Sequence, residues 1–154
     1  MEERTEISAG ASLDRIVGLL DEKQCSCVIA KGESVRFFYR RGVKDLYELL
    51  KNEPEALAGA LVADRVVGKG AAALMILGGV SNVYAHVASS SALELFRQAG
   101  VPVQCGISVP HIINRAGTGM CPVEQRCMDA DTPRQCLTRI EEFLKTIDVC
   151  EDLQ

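Results

Sequence analysis

Cys121 is followed by Pro122, and Glu124 stands two residues further on. Proline suits the first helical position, which makes Cys121 the cap residue of a helix. Glu124 then occupies the third helical position, where its side chain can reach back to the cap. A thiol at a helix start has its thiolate stabilised and its pKa lowered, as a nucleophile or redox thiol needs. Its usual companion is a histidine. The chain has two, His86 and His111, and His111 is the nearer in sequence. A buried cap cysteine with no chemistry is the plainer reading, and the residue types favour it. His111, Cys121 and Cys127 match no familiar zinc spacing, so neither metal nor cofactor is expected.

A second group surrounds Gly68-Lys69-Gly70, at the turn between an apolar strand and an apolar helix. Backbone N–H groups at such a helix start face outward, and the helix dipole favours an anion there. Lys69 would add a full positive charge, and Gly70 would let a ligand approach the backbone. The turn is no P-loop, because the four-residue spacer and the G-K-[ST] ending are missing. Ser89, Ser90 and Ser91 open the next helix and offer cap hydroxyls. The two helix starts should face one crevice, which predicts an anion held between Gly68–Ala71 and Ser89–Ala92. A tight turn and ordinary capping are the competing readings.

Asp64 lies inside an apolar strand, where a carboxylate must be paired or face a pocket. Arg65 beside it should point to the other face, because strand neighbours alternate. Asn114 and Arg115 precede Cys121 in a loop. Arg115 suits a bidentate contact to a carboxylate or phosphate, or a tie from the loop to Glu124 or Asp129.

These groups need a scaffold, and the apolar pattern supplies one. Ser12 caps a helix with Leu13, Ile16, Val17, Leu19 and Leu20 on one side. Residues 25–30 and 34–39 read as a hairpin about Lys31-Gly32-Glu33. An amphipathic helix follows over 43–51. Residues 60–67 are a buried strand, 71–77 a helix apolar almost all round, 83–87 a strand and 92–98 a helix. That is a parallel βαβ unit with one more helix. Residues 101–109 hold a fifth strand, which Pro110 stops. His111 to Met120 shows neither period and reads as a loop. A short helix starts at Pro122. The last begins at Asp131-Thr132-Pro133 and buries Leu137, Ile140, Phe143, Leu144 and Ile147. The order predicts an α/β fold: three layers, α-β-α, with a five-stranded mixed sheet. Residues 1–11 are expected to be a mobile tail, and 12–148 a single domain.

The chain has 154 residues, enough for one domain with one core. Its net charge of −4 argues against nucleic-acid binding through a broad basic surface. No apolar run approaches the roughly 20 residues of a membrane helix. The first residues, MEERTEISAGAS, lack the apolar core of a signal peptide. A cytoplasmic protein is therefore expected. Its seven cysteines, an odd number without a C-x-x-C, read as free thiols.

Two segments carry a resemblance: Asp64-Arg65-Val66-Val67-Gly68-Lys69-Gly70-Ala71-Ala72, and Asn114-Arg115-Ala116-Gly117-Thr118-Gly119-Met120-Cys121-Pro122-Val123-Glu124. On these the chain resembles domain of unknown function family 1893, assigned to the cytidine-deaminase-like superfamily. The resemblance implies that fold and a pocket at the two helix starts. Zinc deaminases carry H-x-E and P-C-x-x-C there. The matching starts here read Gly68-Lys69-Gly70-Ala71 and His86-Val87-Ala88-Ser89-Ser90-Ser91, which cannot supply three zinc ligands. Zinc-dependent deamination is not expected. The favoured reading is a domain that binds a small anionic or nucleotide-like ligand at the strand ends. The alternatives are a thiol-dependent enzyme or redox protein using Cys121, and a non-catalytic module that forms a homo-oligomer.

Overall fold

The structure, a computed structural model, describes residues 2–6, 12–40, 42–114 and 116–152, and the side chains of 12–40, 42–114 and 116–147. The chain runs through β1 (Glu2–Glu6), α1 (Leu13–Glu22), β2 (Cys27–Lys31), β3 (Ser34–Phe38) and α2 (Lys44–Asn52). It continues through β4 (Leu61–Val67), α3 (Lys69–Gly78), β5 (Asn82–Ser89), α4 (Ser90–Ala99) and β6 (Val103–Val109). It ends with α5 (Pro122–Cys127) and α6 (Pro133–Asp152).

The strands form one sheet in the order β1-β3-β2-β4-β5-β6. Pairing is antiparallel from β1 to β4 and parallel across β4, β5 and β6. The five expected strands are all present, and a sixth, β1, adds to the β3 edge from the segment assigned to a tail. Its sequence EERTE has no apolar alternation, so the strand signal was absent. Backbone pairing to an open edge is enough to place it.

Local chemistry fixes the connections. Gly32, at φ 60°, takes the left-handed position of the β2–β3 turn. Gly79, at φ 81°, caps the end of α3. The short links from β4 to α3 and from β5 to α4 put both helix starts at one end of the parallel strands.

The two faces are covered unequally. On one, α1 lays Ile16 and Leu20 on Val28, Ala30, Val35, Phe37 and Ala63. Each of these two large side chains contributes about 1.5–3 kcal/mol when fully buried, and the partly buried Leu13, Val17 and Leu19 pack beside them. The other face carries α3, with α2, α4, α5 and α6 packed around it. Ala72, Ala73, Leu74 and Met75 are therefore buried together, as the all-round apolar pattern requires. No helix among the described residues is long and apolar enough to cross a membrane.

The segment read as a loop, His111 to Met120, is closed by a small ladder at its ends. Ile113 bridges Met120, and Cys121 N–H donates to the Ile112 carbonyl at 2.8 Å. Asn114 holds the turn, accepting from Thr118 N–H at 3.0 Å and donating to Thr118 Oγ1 at 3.1 Å. One side-chain clamp replaces the long periodic pattern that a sequence reading needs.

Candidate functional site

A cavity of about 510 Å3 opens where β2, β4, α2, the start of α3 and the 112–124 segment meet. Cys27 and Asp64 face each other across the β2–β4 pairing. Ile29, Phe38, Val43, Leu46, Ala71 and Ile112 supply apolar wall. Asp64, Ser26, Asp45, Arg40 and Asn114 supply polar groups. Volume and mixture suit a small-molecule site.

Asp64 carries the distinctive electrostatics. Among the described residues no cation pairs with its carboxylate. Burial pushes its pKa up to about 7, and nearby Asp45 adds to this. The Val66 and Arg65 N–H groups and the Cys27 thiol pull the other way. Cys27 is raised well above the usual thiol range, first by burial and then by the Asp64 charge. The two arginines on the rim are already committed. Arg40 Nε donates to Asp45 Oδ1 at 2.7 Å, and its Nη2 to Glu48 Oε2 at 2.7 Å. Arg65 does point to the opposite face from Asp64, where it donates to the Cys25 carbonyl at 2.7 Å and the Leu20 carbonyl at 2.8 Å.

The two helix starts hold an anion, and it belongs to the protein. Glu124 is 3% exposed. Its Oε1 accepts from Lys69 N–H at 2.9 Å and from Ser89 Oγ at 3.2 Å, and its Oε2 accepts from Ile112 N–H at 2.6 Å. The side chain crosses to α3 and α4 instead of bending back to Cys121, where no side-chain capping bond forms. The crossing satisfies donors that the two helix starts leave open, and negative charge is stabilised there.

The expected ligand residues therefore separate. Asp64, Gly68, Gly70, Asn114 and Cys121 border the cavity. Lys69 does not: its ammonium donates to the Met128 carbonyl at 3.3 Å and to the Ala130 carbonyl, closing the turn after α5. Ser89 caps α4, accepting from Ala92 N–H at 3.2 Å. Ser91 bonds Ser89 at 3.2 Å, and Ser90 donates to the Val109 carbonyl at 3.3 Å. Arg115 lies outside the described residues. Glu124 thus takes donors on which the reading of an external anion between the helix starts relied, and the Lys69 ammonium faces another element.

Cys121 is half-buried, and His111 is exposed with no hydrogen bond to it. Among the described residues no three His, Cys, Asp or Glu side chains gather into a group that could hold a metal. Sequence reasoning missed Cys27, Asp45 and Arg40, which reach the cavity through the hairpin and α2. It named Glu124 but gave it a local partner, because the long-range one has no signature in spacing.

No curated protein matches the chain. A crystal structure of a DUF1893 family protein from Thermotoga maritima superposes with a TM-score of 0.78 at 25% identity, covering 90% of this chain and 95% of that one. The family model described as a domain of unknown function, DUF1893, matches residues 15–144, from the first turn of α1 to just past the middle of α6. With most of its length matched, the chain belongs to the DUF1893 family.

Proposed function

We propose that this protein binds a small nucleobase-like molecule in the cavity over Asp64. The observation that carries the reading is a largely buried carboxylate, without a cationic partner, at an apolar cavity. A carboxylate that lacks a countercharge in such a place selects a ligand that brings an N–H donor or a protonated nitrogen. Apolar walls from Ile29, Phe38 and Ile112 suit a flat ring. Phosphate and simple organic anions fit badly, because Asp64 and Asp45 lie on the lining and Arg40 is already paired. The nucleotide-like part of the sequence reading is kept, and the anionic part gives way.

The resemblance to cytidine-deaminase-like proteins is consistent with a nitrogen-rich ring as ligand. It does not support zinc chemistry here, because the helix starts at 68–71 and 89–92 carry no histidine, cysteine or carboxylate to ligate the metal. The reading is one of binding, with no reaction assigned.

Thermal shift and calorimetry at pH 8, with free bases, nucleosides, phosphate and carboxylic acids, test it. Free bases or nucleosides should bind, and Asp64→Asn should weaken them at least tenfold, or about 1.4 kcal/mol. Binding that is undiminished in Asp64→Asn, or binding confined to phosphate and carboxylic acids, overturns the proposal.

A further inference from the structure

Two thiols lie together away from the cavity. Cys127 ends α5, Cys136 lies in the first turn of α6, and both are 0% exposed. Cys127 Sγ sits 3.9 Å from the Cys136 carbonyl oxygen, to which its S–H donates. Neither borders the Asp64 cavity. Lys69 clasps the turn between them through the Met128 and Ala130 carbonyls.

The pair is chemically unequal. Cys127 is raised, first because its S–H is held by Cys136 and then by burial. Cys136 is lowered, first because it accepts from Cys127 and also because Lys69 and Arg139 are near. An acceptor sulfur beside a proton-holding partner is the arrangement of an attacking thiol and a resolving thiol. The turn above them is exposed at Met128, Asp129, Asp131 and Thr132, so its local opening admits a small oxidant.

We propose that Cys127 and Cys136 form a dithiol that a hydroperoxide converts to a disulfide. The Cys136 sulfur attacks one peroxide oxygen. An S–O bond forms, the O–O bond breaks, and the departing oxygen leaves as water or alcohol with the Cys136 proton. The Cys127 sulfur then attacks the sulfenic sulfur. The S–S bond forms, the S–O bond breaks, and hydroxide leaves as water with the Cys127 proton. Two thiols lose two electrons, and the peroxide bond gains them. The link would tie α5, which carries Glu124, to α6.

Hydrogen peroxide is the probe. The full native chain is oxidised, its remaining thiols are alkylated, and it is cut with trypsin. Cleavage after Arg126, Arg134 and Arg139 leaves the two cysteines on separate peptides, 127–134 and 135–139. The expected product is these two peptides joined, two hydrogens lighter than their sum, and separated again by reductant. In Cys127→Ala, dimedone should label Cys136. Recovery of both peptides alkylated at Cys127 and Cys136, while Cys105 or Cys121 is oxidised, overturns the proposal. The wild-type map decides even where the variant does not fold.

Discussion

Glu124 and Lys69 are joined through the backbone and not through their charges. The Lys69 N–H donates to Glu124 Oε1 at 2.9 Å, while the lysine ammonium serves the Met128 and Ala130 carbonyls. One residue thus ties α3 to both ends of α5. The carboxylate also reaches Ser89 and Ile112, so four segments depend on one side chain.

Glu124→Ala should therefore cost more stability than an ordinary surface change. It leaves the Lys69 and Ile112 N–H groups without their acceptor and takes from the Ser89 hydroxyl one of its two side-chain partners. The expected loss is about 2–4 kcal/mol, with Glu124→Gln retaining roughly half of that. Urea denaturation midpoints measure both. A loss below about 0.5 kcal/mol for the alanine variant, the range of ordinary surface changes, would show that water replaces the carboxylate easily.

Much of the fold was legible because it follows from local rules. The all-round apolar run at 71–77 could only be a helix enclosed by others, and α3 is that helix. The βαβ unit followed from strand and helix lengths. β1 was illegible because its charged sequence is placed by pairing with β3 alone. In the site, Asp64 was legible, since a carboxylate in an apolar strand demands an explanation. The role of Lys69 was not. A glycine-flanked lysine at a helix start reads as an anion clamp, and nothing in the spacing shows that Glu124 arrives first. Nor could the sequence bring Cys27, Asp45 and Arg40 to the cavity, because their approach depends on strand register and on how α2 packs.

Gly70 and Gly18 should respond to alanine in opposite directions. A Cβ on Gly70 would stand 2.5 Å from Val123 Cγ1, inside a packed core. Gly70→Ala should lose about 1–3 kcal/mol through overpacking, and α5, which carries Val123, should shift. Gly18 lies within α1 with nothing within 4 Å of a built Cβ. Gly18→Ala should gain about 0.5–1 kcal/mol by restricting the unfolded chain and favouring the helix. Thermal melts of the two variants beside wild type check the pair. A neutral Gly70→Ala would mean that α5 moves aside at little cost.

Asp64 should make stability depend on pH in the direction opposite to most carboxylates. In the unfolded chain it titrates near its usual value of 3.8, and in the folded protein at about 7. Below the lower value both states hold the proton, and the group favours neither. Between the two values the folded state holds more protons, so each rise in pH favours unfolding until the folded carboxyl ionises. Glu94, Asp129 and Glu141 are shifted down by Arg97, Arg139 and Tyr47 respectively and slope the other way, so total stability hides the effect. The difference between Asp64→Asn and wild type exposes it. From pH 4 to pH 8 the variant should gain about 1–3 kcal/mol on wild type, allowing for partial solvent access. Urea midpoints at unit pH steps measure that gain. Parallel curves would mean that Asp64 ionises without penalty, and the case for a carboxylate held without a countercharge at the cavity would be lost with it.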